Sequence, residues 1–108
     1  MELSDLDADQ ALLALSGVTL LIFTGEGCSS CRWARERLPE MNLPCDRIAW
    51  VDAERNGGMV QRYEVFHLPA LFVVRQGLFY GGLKTRMTES ELNQGILACL
   101  SRDADDLP

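Results

Sequence analysis

The sequence predicts an α/β domain, a central mixed β-sheet flanked by helices in the order α-β-α-β-α-β-β-α. Three observations carry this. Apolar runs at 18–23, 48–51 and 71–74 suit strands buried on both faces of a sheet. The stretches between them space their apolar residues as helices do. After the third run, Gln76-Gly77 and a second short apolar run read as a hairpin, and a capping motif then opens a last helix. At 108 residues, one core and a single domain over 1–108 are expected.

Ser4-Asp5-Leu6-Asp7 has the form of a helix start, with the Ser4 oxygen placed to accept a backbone N–H three residues on. Ala8, Ala11, Leu12 and Leu15 follow at helical spacing, and Gly17 supplies a stop. Val18 to Phe23 is the first strand, and Thr24-Gly25-Glu26-Gly27 is the loop after it. From Ser29 to about Glu40 the composition is helical, Trp33, Ala34 and Leu38 sharing a face, until Pro39 and Pro44 end the element. Ile48 to Val51 is the second strand, Asn56-Gly57-Gly58 a break, and Met59 to Tyr63 a short helix. Leu71 to Val74 and Leu78 to Tyr80 form the hairpin. Thr88-Glu89-Ser90-Glu91 fits a capping box, after which Leu92, Ile96, Cys99 and Leu100 line one helical face.

Charge placement excludes some partners. The net charge is −6, but residues 1–10 and 103–108 hold seven acids and no base, and residues 11–102 hold nine acids against ten bases. The body is nearly neutral, and the acidic tails read as solubility. Arg32, Arg35 and Arg37, interrupted by Glu36, are too few for a nucleic-acid surface. Neither a basic-then-apolar leader nor an apolar run of membrane length is present, so no membrane partner and a cytoplasmic location are expected.

The chemistry concentrates in Cys28-Ser29-Ser30-Cys31, placed where a strand ends and a helix begins. Two thiols three residues apart can close a small disulfide ring. The free N–H groups and dipole of a helix N-terminus favour a thiolate, the attacking form. Cys28 is expected to attack a substrate disulfide and Cys31 to resolve the mixed disulfide. The competing readings are half of a zinc site and an inert pair. Cys45 and Cys99 make no second close pair and His67 is the only histidine, so no metal and no cofactor are expected. Cys45, Cys99, Trp33 and Trp50 read as core. Glu26, two residues before Cys28, is either a solvated loop acid or a proton shuttle.

Phe23-Thr24-Gly25-Glu26-Gly27-Cys28-Ser29-Ser30-Cys31, then Val51-Asp52, then Tyr63 to Leu71 and Gly77, resemble the thioredoxin family over nearly the whole chain. The resemblance implies the thioredoxin fold, catalytic Cys28 and Cys31, and a cis peptide bond at Leu68-Pro69 facing them. It further implies a substrate surface built from Leu68, Pro69, His67, Ser29 and Ser30. His67 would either tune Cys28 or only shape the rim.

Departures from the family pattern accompany the likeness. Ile22 stands where the family usually has a buried Asp, Thr24 and Gly27 replace tryptophans, Ser-Ser replaces Gly-Pro, and Glu36 replaces a proline. A specialised thioredoxin-like oxidoreductase is expected, monomeric, acting on protein disulfides and drawing electrons from a thioredoxin-reductase-like donor or glutathione. Two alternatives stay open. One is a non-catalytic binding module. The other is a glutaredoxin-like enzyme, suggested by Phe79-Tyr80-Gly81-Gly82.

Overall fold

A strand buried on both faces must be apolar at consecutive positions, and the run at 18–23 meets that demand at the middle of the sheet. A computed structural model describes all residues from 1 to 108. Strand β1 (Glu2–Leu3) and helix α1 (Ala8–Ala14) come first, followed by β2 (Val18–Thr24), α2 (Ser29–Arg37) and β3 (Arg47–Asp52). Helix α3 (Gly57–Arg62), the hairpin β4 (Ala70–Arg75) and β5 (Leu78–Leu83), and α4 (Glu89–Leu100) complete the chain. The sheet order is β1-β3-β2-β4-β5. Strands β1, β3 and β2 run parallel, and β4 and β5 are antiparallel to their neighbours.

Strand β2 splits its side chains between two cores because successive residues point to opposite faces. Leu20 and Ile22 pack with Ala34, Leu38, Leu92, Ile96 and Cys99 under α2 and α4. Leu21 and Phe23 pack with Leu12, Met59 and Tyr63 under α1 and α3. Every one of these residues is buried. The expected mixed sheet with helices on both faces is therefore the architecture observed.

Several local expectations need correction. The order gains β1, whose two residues are too short to show a period, yet Leu3 is buried and pairs with Val51. The Ser4 oxygen accepts from Leu6 N–H at 3.3 Å, two residues on, because the Asp7 carboxylate takes the Ser4 N–H at 2.8 Å. At α4 the Thr88 hydroxyl accepts from Glu91 N–H at 3.2 Å, but the Glu91 carboxylate turns to Arg86 N–H at 3.0 Å, so half the box forms. Trp33 is 40% exposed. At 100° per residue the buried face of α2 runs through Cys31, Ala34 and Leu38, which turns position 33 outward.

The tail acids are more than solubility. The Asp5 carboxylate accepts from Gly58 N–H at 3.0 Å and Met59 N–H at 2.8 Å, capping α3 from a distance. Asp9 pairs with Arg62 at 2.8 Å, and Glu2 pairs with Arg35. Asp105 exchanges backbone hydrogen bonds with Phe79 at 2.7 and 2.8 Å, which covers the free edge of β5.

Candidate active site

The loop after β2 delivers Cys28 to the N-cap of α2, the position whose side chain can satisfy a free helix N–H. Its Sγ accepts from Cys31 N–H at 3.2 Å and lies 3.4 Å from the Ser30 hydroxyl. Both interactions suit a negative sulfur. The Cys28 thiol is held below its ordinary pKa, first by Cys31 and then by Ser30, while its burial works the other way.

Cys31 sits one helical turn deeper and is 1% exposed. Burial, then its position beside Cys28, pushes its pKa up to about 11. Two thiols of one type, three residues apart, are thus given opposite characters, Cys28 by the hydrogen bonds at the helix N-cap and Cys31 chiefly by burial. Both are free thiols. The accessible one ionises more readily, and the buried one stays protonated.

The loop before β4 closes the other side. The Leu68–Pro69 peptide bond is cis, as the resemblance implied. The Cys28 thiol donates to the Leu68 carbonyl at 3.7 Å. The two loops approach closely enough that a Cβ on Gly25 would meet Leu68 Cδ1 at 2.9 Å. Ser29 and Ser30 are exposed beside Cys28.

His67 is also exposed, and it faces a different space. It lines a groove of about 1150 Å³ together with Phe66, Pro69, Lys84, Arg86 and Met87. The groups that lower the Cys28 pKa are Cys31 and Ser30. Phe66, missed in the sequence, is 83% exposed on the same groove. A large aromatic outside the core, beside the Leu68–Pro69 step, is the signal that marks it.

A second, smaller cleft of about 280 Å³ lies on the inner side of the cysteine pair. Glu26, Cys31, Arg35 and Asp52 are among its walls. Glu26 is held through its backbone, its N–H donating to Glu54 at 3.1 Å and its carbonyl accepting from Arg32 at 3.0 Å. Its carboxylate is exposed at the mouth of the cleft. In the sequence Arg35 stood out only as part of a basic cluster and Asp52 only as part of the family likeness, with no site role for either. Arg35 stands four residues after Cys31 on the same helix, a spacing that could have revealed it.

The remaining candidates fall elsewhere. Cys99 is buried in the core with its thiol 3.6 Å from the Gly82 carbonyl, and Cys45 is half-buried against the same core. Burial raises the pKa of both. Trp50 is 8% exposed. Gly81 and Gly82 lie inside β5. Gly81 has φ +91°, a left-handed conformation that favours glycine, so backbone geometry already accounts for that glycine. No group of three or more His, Cys, Asp or Glu side chains is arranged to hold a metal ion. No helix is long and apolar enough to cross a membrane.

No protein-family model and no curated protein matches the sequence. Solved structures do. The first thioredoxin domain of mouse protein disulfide-isomerase A4 aligns with a TM-score of 0.72 at 18% identity, over 94% of this chain and 76% of that one. A zinc-bound form of human ERp44 aligns with a TM-score of 0.68 at 19% identity, over 91% of this chain. This chain spans 31% of the length of that ERp44 chain. The fold is the thioredoxin fold, with a Cys-x-x-Cys pair at the start of its second helix.

Proposed function

We propose that this chain is a thiol–disulfide oxidoreductase that reduces or exchanges protein disulfides through Cys28 and Cys31. The observation that carries the reading is the opposed character of the two thiols. One is accessible, at a helix N-cap, with a lowered pKa; the other is buried, with its pKa at about 11. An inert structural pair has no need of that difference.

The cycle follows from the geometry. Cys28, as thiolate, attacks one sulfur of a substrate disulfide, and the other sulfur leaves as a thiolate that takes a proton from solvent. The Cys28–substrate mixed disulfide is then attacked at Cys28 Sγ by Cys31, which has released its proton to water. The second substrate sulfur leaves and is protonated in turn. The substrate gains two electrons and two protons, and the pair is left as a disulfide. An external dithiol, supplied through a reductase of the thioredoxin-reductase kind or by glutathione, returns it to the dithiol. In a reducing compartment such as the cytoplasm the pair rests reduced.

The substrate surface we assign comprises Ser29 and Ser30 on one side of Cys28, and His67, Leu68 and Pro69 on the other. The Leu68 carbonyl stands 3.7 Å from Cys28 Sγ, so a backbone running past it brings its own sulfur within reach. The groove beyond Pro69, with Phe66 on its rim, continues the surface away from the cysteines.

Insulin-disulfide reduction tests the reading. The protein should accelerate insulin precipitation when coupled to a thioredoxin-reductase system or to a glutathione-reductase system, and whichever supports turnover identifies the donor. A protein that binds insulin chains but transfers no electrons with either system is a binding module, and the enzymatic reading fails.

A further inference from the structure

The exchange cycle leaves one step without support. Cys31 must act as a thiolate, yet it lies buried, and burial raises its pKa and favours the neutral thiol. Arg35 is the next residue but three on α2, and residues so spaced on a helix have neighbouring side chains. Arg35 and Cys31 share the walls of the small inner cleft.

Three strands hold the guanidinium where it is. From β2, the Thr24 hydroxyl accepts from Arg35 Nε at 3.1 Å and from Nη2 at 2.9 Å. From β1, the Glu2 carboxylate pairs with Nη1. From β3, the Trp50 ring lies 4.9 Å from the guanidinium carbon. Thr24 is 3% exposed and Trp50 8%, so two of the three anchors are themselves fixed in the interior. This is more restraint than a helix-surface arginine needs for solubility.

Resting on the exchange reading, we propose that Arg35 is a positioning residue for the resolving step, a fixed positive charge that favours the Cys31 thiolate as it attacks the mixed disulfide. The other charged groups around Cys31 are each engaged differently. Arg32 donates to the Glu26 carbonyl at 3.0 Å, and Asp52 accepts from Glu54 N–H at 3.0 Å and faces Arg55 at 3.7 Å. Glu26 and Asp52 are the anionic walls of the cleft, and Cys28 is uncharged once it is in the mixed disulfide. Glu2 opposes Arg35 through its own charge. Neutralising Glu2 as Gln, which keeps an oxygen acceptor for Arg35 Nη1, therefore has the opposite effect to removing Arg35.

The magnitude is set by two competing effects. Raising a thiol's pKa by one unit cuts its thiolate tenfold but makes each thiolate about threefold more nucleophilic, so the net loss in rate is about threefold. The test uses the aromatic disulfide dithiobis-nitrobenzoate on protein carrying Cys45→Ala and Cys99→Ala, so that only the pair reacts. Cys28 attack releases one coloured nitrothiobenzoate, and Cys31 attack on the resulting mixed disulfide releases the second. Arg35→Gln should slow the second phase about threefold at each pH from neutral to mildly alkaline and leave the first phase unchanged. Arg35→Lys should restore most of it, and Glu2→Gln should speed it. An unchanged second phase in Arg35→Gln overturns the proposal. So does a slowing in both Arg35→Gln and Glu2→Gln, which is what loosened packing alone would produce. If the parent protein shows a first phase but no second, the exchange reading itself fails, whatever Arg35 does.

Discussion

Ile22 is the position at which stability and chemistry meet most directly. Its side chain is fully buried and belongs to the cluster under α2 and α4 with Leu20, Ala34, Leu38 and Val73. Its neighbours across the sheet are Trp50 and Leu71. Ile22→Asp removes an aliphatic side chain worth about 2–3 kcal/mol. Even protonated, the acid left there lacks a partner, which adds about 1–3 kcal/mol. Charged, it would cost far more, so its pKa in the folded state rises by about 3–5 units while the unfolded chain keeps the ordinary value near 3.9. A raised pKa gives stability that is present below the unfolded value and lost as pH climbs toward the folded one. Between about pH 5 and pH 7 the variant should lose about 2.7 kcal/mol more than wild type does, at 1.36 kcal/mol per unit. Urea unfolding followed by circular dichroism at both pH values measures this. Equal destabilisation at the two pH values would refute the reasoning, because it would mean that water or Arg35 reaches the carboxylate. As pH approaches that raised pKa and the carboxylate becomes available as a base for Cys31, the folded variant should resolve a Cys28 mixed disulfide faster than wild type.

Three further outcomes are expected. Tyr63 stacks against Phe23, Phe72 and Phe79, and its buried hydroxyl has no hydrogen-bond partner. Tyr63→Phe should therefore leave stability unchanged or raise it by up to about 1 kcal/mol in urea titrations. Asp5→Ala removes both acceptors at the start of α3 and should cost about 1–2 kcal/mol in the same assay. Cys31 and Tyr63 have their pKa values raised, to about 11 and about 12, so the folded state keeps protons that the unfolded chain gives up. Stability should hold up to the ordinary thiol value of 9.0 and fall as pH rises beyond it, with a shallower fall in Cys31→Ala, read from melting temperatures.

The sequence revealed what has a period or a fixed local spacing. The doubly buried run at 18–23, the hairpin around Gly77 and the stripe of Leu92, Ile96 and Cys99 are patterns within a single element, and each folded as read. The two cysteines were legible because their spacing and their place before a helix are both local. Features made by distant residues were hidden. Asp5 capping α3, Glu2 reaching Arg35 and Asp105 bridging Phe79 each join positions at least 26 residues apart, so the acids looked like plain tails. Trp33 was misplaced for a different reason. A short helix offers few residues for fixing its phase, and the face through Cys31, Ala34 and Leu38 leaves Trp33 outside. The inner cleft was hidden for the first of these reasons, since Thr24 and Asp52 come from two strands and only Arg32 and Arg35 share α2 with Cys31.

The central claim is that Cys28 attacks and Cys31 resolves. It is tested most directly by incubating Cys31→Ser and Cys28→Ser with oxidised protein substrate and weighing the products by intact mass spectrometry. Cys31→Ser should accumulate a mixed disulfide through Cys28, the half-buried thiol whose pKa lies below its ordinary value. Cys28→Ser should form none, because Cys31 is buried and protonated. Adducts on Cys28→Ser with none on Cys31→Ser would reverse the two roles and contradict the account.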